Sequence, residues 1–128
     1  MAADVAELAA AAPRPAQPVV VVEDDADARE DIAELLEYEG FQVIACADAE
    51  QALLGLASAP AAVLVTDIGL PGMTGIALGH EAAKRFPGIQ IILMSGFRRS
   101  PAMDCRPEWV YFQKPINVDD LIAAIRRS

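Results

Sequence analysis

A chain of 128 residues has room for one domain and buries enough surface to need no staple. Its net charge of −9 argues against the basic surface that nonspecific nucleic-acid binding requires, and no apolar run approaches the roughly 20 residues of a membrane helix. The start carries Asp4 and Glu7 in an Ala-rich stretch, unlike a secretory signal, so a cytoplasmic protein without membrane insertion is expected.

The charge is uneven. Residues 1–50 hold thirteen acids and two arginines, whereas the remainder holds six acids and eight bases. Residues 1–18, with Pro13, Pro15 and Pro18, read as a disordered or loosely helical Ala/Pro-rich arm, and residues 19–128 as the folded domain. Val19–Val22 is a continuous apolar run, the mark of a strand buried on both faces. A helix follows over Ala26–Glu39, where Ala28, Ile32, Leu35 and Leu36 share a face and Gly40 is a natural stop. Glu30, Asp31, Glu34, Glu37 and Glu39 suit its solvated side, but Glu23, Asp24 and Asp25 directly follow the strand.

Phe41–Ala45 is the second strand, and Asp48 with Gln51 resembles a capping box opening the second helix. Val63–Val65 is the third strand. Thr74 caps a third helix that Pro87-Gly88 ends, and Ile91–Met94 is the fourth strand. Gly96–Glu108 holds Pro101 and Pro107 and no clear apolar period, so a fourth helix there is expected to be short or irregular. Trp109–Phe112 is the fifth strand. Asn117 caps a last helix lined by Val118, Leu121, Ile122 and Ile125, with Arg126 and Arg127 suiting its C-terminal dipole. Cys46 and Cys105 match no metal spacing and read as free thiols.

Strands alternating with helices predict an α/β fold, a doubly wound five-stranded parallel sheet in the flavodoxin-like order 2-1-3-4-5. Ligands in such sheets sit beyond the carboxyl ends of the strands. Strand 1 ends in Glu23 and Asp24, strand 3 in Asp67, strand 4 in Ser95, and Lys114 follows strand 5. Three carboxylates would thus meet one hydroxyl and one ammonium. Like charges that close call for a cation, and an all-oxygen set suits Mg²⁺. A carboxylate can also attack phosphorus, with Mg²⁺ and a lysine neutralising the transferred group.

The segments VVVVEDDADARE, VTDIGLPGMTG, LMSG and FQKPI, in that order, resemble the signature segments of response-regulator receiver domains (the CheY-like superfamily). The resemblance implies that Glu23 and Asp24 are the acidic metal pair and Asp67 the phosphoacceptor. Gly69 would offer its backbone carbonyl to the metal. Ser95 and Lys114 would complete the catalytic set, and Lys114-Pro115 would be a cis peptide. Ser95 and Tyr111 would form the conformational switch. Met73 would anchor the loop after Asp67. The implied function is a phosphoacceptor module of a two-component phosphorelay. Its donor would be a histidine kinase or histidine phosphotransferase, and its target an unidentified downstream protein. A homodimer is possible in such a family.

The chain ends one residue after Arg127, which reads as a signalling module without an output domain. Alternatives are the detached receiver of a hybrid histidine kinase and a phosphorylation-independent protein-interaction module. An aspartyl phosphatase usually needs a second acid where this chain has Gly69, and a flavodoxin-like carrier would be repelled by the acidic first loop. The module is thus not expected to be an enzyme beyond handling its own phosphoryl group. Gly69 and Phe97 lie two residues beyond Asp67 and Ser95, and neither side chain can orient a water by hydrogen bonding. Phe97 could also shield the site, so slow self-dephosphorylation is expected. His80, Trp109, Arg98 and Arg99 read as packing or solvated residues.

Overall fold

The computed structural model describes residues 17–127; the expected N-terminal arm lies outside them except for Gln17 and Pro18. Five strands form one parallel sheet: β1 (Val19–Val22), β2 (Val43–Cys46), β3 (Val63–Asp67), β4 (Gln90–Ser95) and β5 (Val110–Gln113). Their order is β2-β1-β3-β4-β5, as the alternation of apolar runs predicts. Four helices accompany them among the described residues: α1 (Ala26–Tyr38), α2 (Ala49–Ser58), α3 (Gly75–Arg85) and α4 (Val118–Arg126).

The sheet separates two cores, which is why β1, β3 and β4 are apolar on consecutive residues. On one face Val20, Val22, Leu64 and Leu93 pack with Ala52 and Leu56 of α2 and Leu78 and Ala82 of α3. On the other, Val19, Val21, Val65 and Ile92 pack with Leu36 of α1 and Leu121, Ile122 and Ile125 of α4. None of the helices is long and apolar enough to cross a membrane among the described residues.

Three of the helices begin as the sequence predicts. Asp48, Thr74 and Asn117 accept from the backbone N–H three residues on, at 2.8, 3.2 and 3.0 Å. Gln51 reaches back to the N–H of Ala47 at 2.8 Å, one residue earlier than a capping box requires. Asp25 caps α1 through Ala28 N at 3.0 Å, which removes it from the site-forming acids. The second strand starts at Val43, later than expected. Phe41 N donates to Leu36 O at 3.0 Å around Gly40 at φ +95°, so Phe41 still belongs to the end of α1.

The expected short or irregular helix between β4 and β5 does not form; residues 96–109 are turns and irregular chain. Pro101 and Pro107 deny a helix its donors there. Other contacts fasten the segment. His80 Nε2 of α3 donates to Asp104 O at 2.6 Å, and its ring lies tilted at 52° with its centroid 4.7 Å from that of Trp109. Trp109, 5% exposed, lies so close over Gly79 that a Cβ there would stand 3.0 Å from the indole. Arg99 Nη2 donates to Arg106 O at 3.1 Å. Trp109 precedes β5 instead of opening it.

Candidate functional site

The strand register brings the polar residues together. Val22 pairs with Thr66 across β1 and β3, so the next rung would set Glu23 beside Asp67. Asp67 pairs with Met94, which puts Ser95 one step further, and Ser95 pairs with Gln113, just before Lys114. Glu23, Asp67 and Ser95 are buried, at 3%, 9% and 4% exposure, while Asp24 is exposed. Carboxylate oxygens of Glu23, Asp24 and Asp67 all lie within 4.8 Å of one another. An all-oxygen donor set of three acids in that space fits Mg²⁺.

Lys114 closes the cluster. Its Nζ stands 3.2 Å from Glu23 Oε2 and 3.3 Å from Asp67 Oδ2. The Lys114-Pro115 bond is cis, and Lys114 N donates to Ser95 O at 2.7 Å. Gly69 N donates weakly to Asp67 Oδ1 at 3.4 Å. Ser95 Oγ accepts from Phe97 N at 3.1 Å, and Tyr111 Oη donates to Phe97 O at 2.6 Å. Both Ser95 and Tyr111 therefore hold the backbone of one residue. Phe97 itself is 77% exposed, so its ring does not cover the pocket as the sequence led us to expect.

Glu23, Asp24, Asp67, Gly69, Ser95 and Lys114 meet at the carboxyl ends of the strands, and Tyr111 is joined to Ser95 through the Phe97 backbone. Arg29 is not among the residues the sequence points to, yet its Nη1 donates to Glu23 O at 2.8 Å. A basic residue one turn into a helix carries no sequence signal for such a contact. His80 and Trp109 lie in the contact of α3 with residues 96–109. Cys46 and Cys105 are free thiols.

One lysine does not balance three acids. Burial first, and then the charge of Asp67, holds the Glu23 carboxyl above the usual carboxylate range, with Lys114 pulling it partly back. Desolvation pulls the Lys114 ammonium down, but its bond to Glu23 and the charges of Asp67 and Glu23 outweigh this and hold it up. A raised acid contributes stability that is full below its unfolded value near 4.3 and is lost as pH rises through the folded value. The lysine stays charged across that window and does not disturb the comparison. Without divalent cation, Glu23→Gln is therefore expected to be more stable than wild type at pH 7, by about 1 kcal/mol or roughly 4 °C. The gap should close towards pH 4. Thermal unfolding in EDTA checks this; a less stable variant at pH 7 would show that Lys114 outweighs the crowding.

Comparison with known proteins gives the site its setting. The family model of the response regulator receiver domain matches residues 19–126. The C4-dicarboxylate transport transcriptional regulatory protein DctD of Rhizobium meliloti is 34% identical over 113 residues, covering 86% of this chain and 25% of its own length. The response regulator receiver protein CpdR of Brucella abortus is 30% identical over 112 residues, covering 85% of this chain and 93% of its own length. The chain thus spans about a quarter of DctD and of an NtrX-like regulator of Rickettsia bellii, but nearly all of CpdR. Among solved structures, the response regulator TrrA of Thermotoga maritima in complex with Mg²⁺-BeF has a TM-score of 0.77 at 26% identity. The match covers 87% of this chain and 97% of that one. The chain belongs to the response regulator receiver domain family of two-component systems.

Proposed function

We propose that this chain is a phosphoacceptor module of a two-component phosphorelay, in which Asp67 takes a phosphoryl group from the phosphohistidine of a histidine kinase or histidine phosphotransferase. The observation that carries the reading is the meeting of three carboxylates within 4.8 Å, with Lys114 Nζ 3.3 Å from Asp67 Oδ2. Glu23, Asp24, Asp67 and the backbone carbonyl of Gly69 are the groups that would hold Mg²⁺. The cation supplies neutralisation of the phosphoryl oxygens.

The chain's own groups do the rest. An oxygen of the Asp67 carboxylate forms a bond to phosphorus as the P–N bond breaks. The bonding pair leaves with the donor imidazole, which takes up a proton. Lys114 offsets negative charge beside Asp67 throughout. Ser95 accepts from Phe97 N, which leaves its own hydroxyl proton to donate to a phosphoryl oxygen. Any turn of Ser95 towards that oxygen disturbs the Phe97 backbone, which Tyr111 also holds. This is the support for Ser95 and Tyr111 as the switch, whose output would be contact with a downstream protein in the cytoplasm.

Incubation with acetyl phosphate and Mg²⁺ tests the reading. Wild type is expected to gain about 80 Da (one phosphoryl), and Asp67→Asn nothing. No adduct on wild type would leave a phosphorylation-independent interaction module. Neither Gly69 nor Phe97 can bind an attacking water through its side chain, so the adduct is expected to last minutes or longer. Decay followed on a phosphate-affinity gel checks this, and a half-life of seconds would reject it.

A further inference from the structure

The peptide group joining Glu23 to Asp24 lies between the two acids that follow β1. Its surroundings differ on the two sides. Glu23 is held three ways: its N–H donates to Cys46 O at 3.0 Å, its carboxylate meets Lys114 at 3.2 Å, and its carbonyl accepts from Arg29 Nη1 at 2.8 Å. Asp24 is exposed, and its side chain makes no hydrogen bond among the described residues. The direction of the Asp24 carboxylate therefore depends on the backbone that carries it.

A peptide group is planar, so rotating this one about its flanking single bonds swings Asp24 relative to Glu23. Beyond it, Asp25 caps α1, and Arg29 N donates to Asp25 O at 2.9 Å. Arg29 thus springs from a fixed first helical turn and reaches back six residues to the end of β1. A guanidinium with five donors in a rigid fork suits such a hold on a carbonyl.

We propose that Arg29 is a positioning residue for the metal: by gripping the Glu23 carbonyl it fixes the peptide between Glu23 and Asp24, and so the relative direction of their carboxylates. The inference rests on the reading of those two acids as Mg²⁺ ligands. The sign of its effect separates it from simple electrostatics. A guanidinium near a cation site repels the cation, so loss of its charge alone would tighten binding. Loss of a positioning contact weakens it.

The test is calorimetric titration with MgCl₂ of wild type, Arg29→Met and Arg29→Lys. Met keeps an apolar stem without donor or charge; Lys keeps the charge and an N–H donor on a stem one bond shorter. Arg29→Met is expected to bind Mg²⁺ about tenfold more weakly than wild type. Arg29→Lys should recover most of the loss. Should Arg29→Met melt too low to titrate, Arg29→Gln, too short for the carbonyl, carries the same expectation. The amide resonance of Asp24, which belongs to the same peptide group, should shift in the metal-free Met or Gln variant and return towards its place in Arg29→Lys. Binding by the Met or Gln variant as tight as wild type, or tighter, overturns the proposal. A wild type that takes up no Mg²⁺ overturns the reading of the acidic site as well, so the two failures are distinct.

Discussion

Lys114→Ala is expected to slow formation of the Asp67 adduct by about a hundredfold or more, the scale seen when one fixed donor to developing charge is removed. The Lys114 ammonium stands 3.3 Å from Asp67 Oδ2, beside the oxygen pair that meets the incoming group. Alanine leaves that charge uncompensated on one side. The same substitution also removes a cation from beside three carboxylates, so it should tighten Mg²⁺ binding. Opposite signs in the two measurements would show that the slower step is not a loss of metal. Adduct formation followed by intact mass at saturating Mg²⁺ provides the rate. An unchanged rate would remove Lys114 from the chemistry.

Gly75→Ala should cost about 3 kcal/mol or more, at the upper end for overpacking, and lower the melting temperature by roughly 10 °C. Helix propensity alone argues the reverse, since Ala replaces Gly with a gain of about 1 kcal/mol in a helix interior. Sterics win here. A Cβ on Gly75 would stand 2.0 Å from Asp67 O and 2.8 Å from Ile68 Cα, and backbone atoms cannot rotate away as a side-chain tip can. The first turn of α3 must then lift from the end of β3, although Gly75 N donates to Ile68 O at 2.9 Å. Asp67 ends that strand, so adduct formation should fall with stability. A melting temperature within about 2 °C of wild type would mean that the loop yields freely.

Much of this was legible because a parallel sheet writes itself plainly. Val19–Val22 and Ile91–Met94 are apolar without alternation since both faces are covered. Polar residues ending such runs have one place to go, so Glu23, Asp67 and Ser95 could be grouped before any geometry was known. Asp25 follows the same strand but caps α1, and a cap and a ligand look alike inside an acidic run. Phe41 misled because its apolar character suits a strand, while the chain around Gly40 is still closing α1. Arg29 escaped because its contact is with a carbonyl, and every residue has one. The shielding expected of Phe97 failed for a related reason. Sequence places that residue two beyond Ser95 but says nothing of which way its ring turns.

The irregular crossover between β4 and β5 has an optical consequence. The chain has a single tryptophan, and it is the residue that packs this segment against α3. Trp109 lies over Gly79 with little exposed surface, its indole beside the His80 ring. Intrinsic fluorescence, excited where tyrosine does not absorb, therefore comes from the one connection of the sheet that has no helix to stiffen it. Opening that connection would bring water to the indole and redden its emission while the strands stay paired. The protein thus carries a label-free gauge of this crossover, whose Phe97 backbone meets both Ser95 and Tyr111.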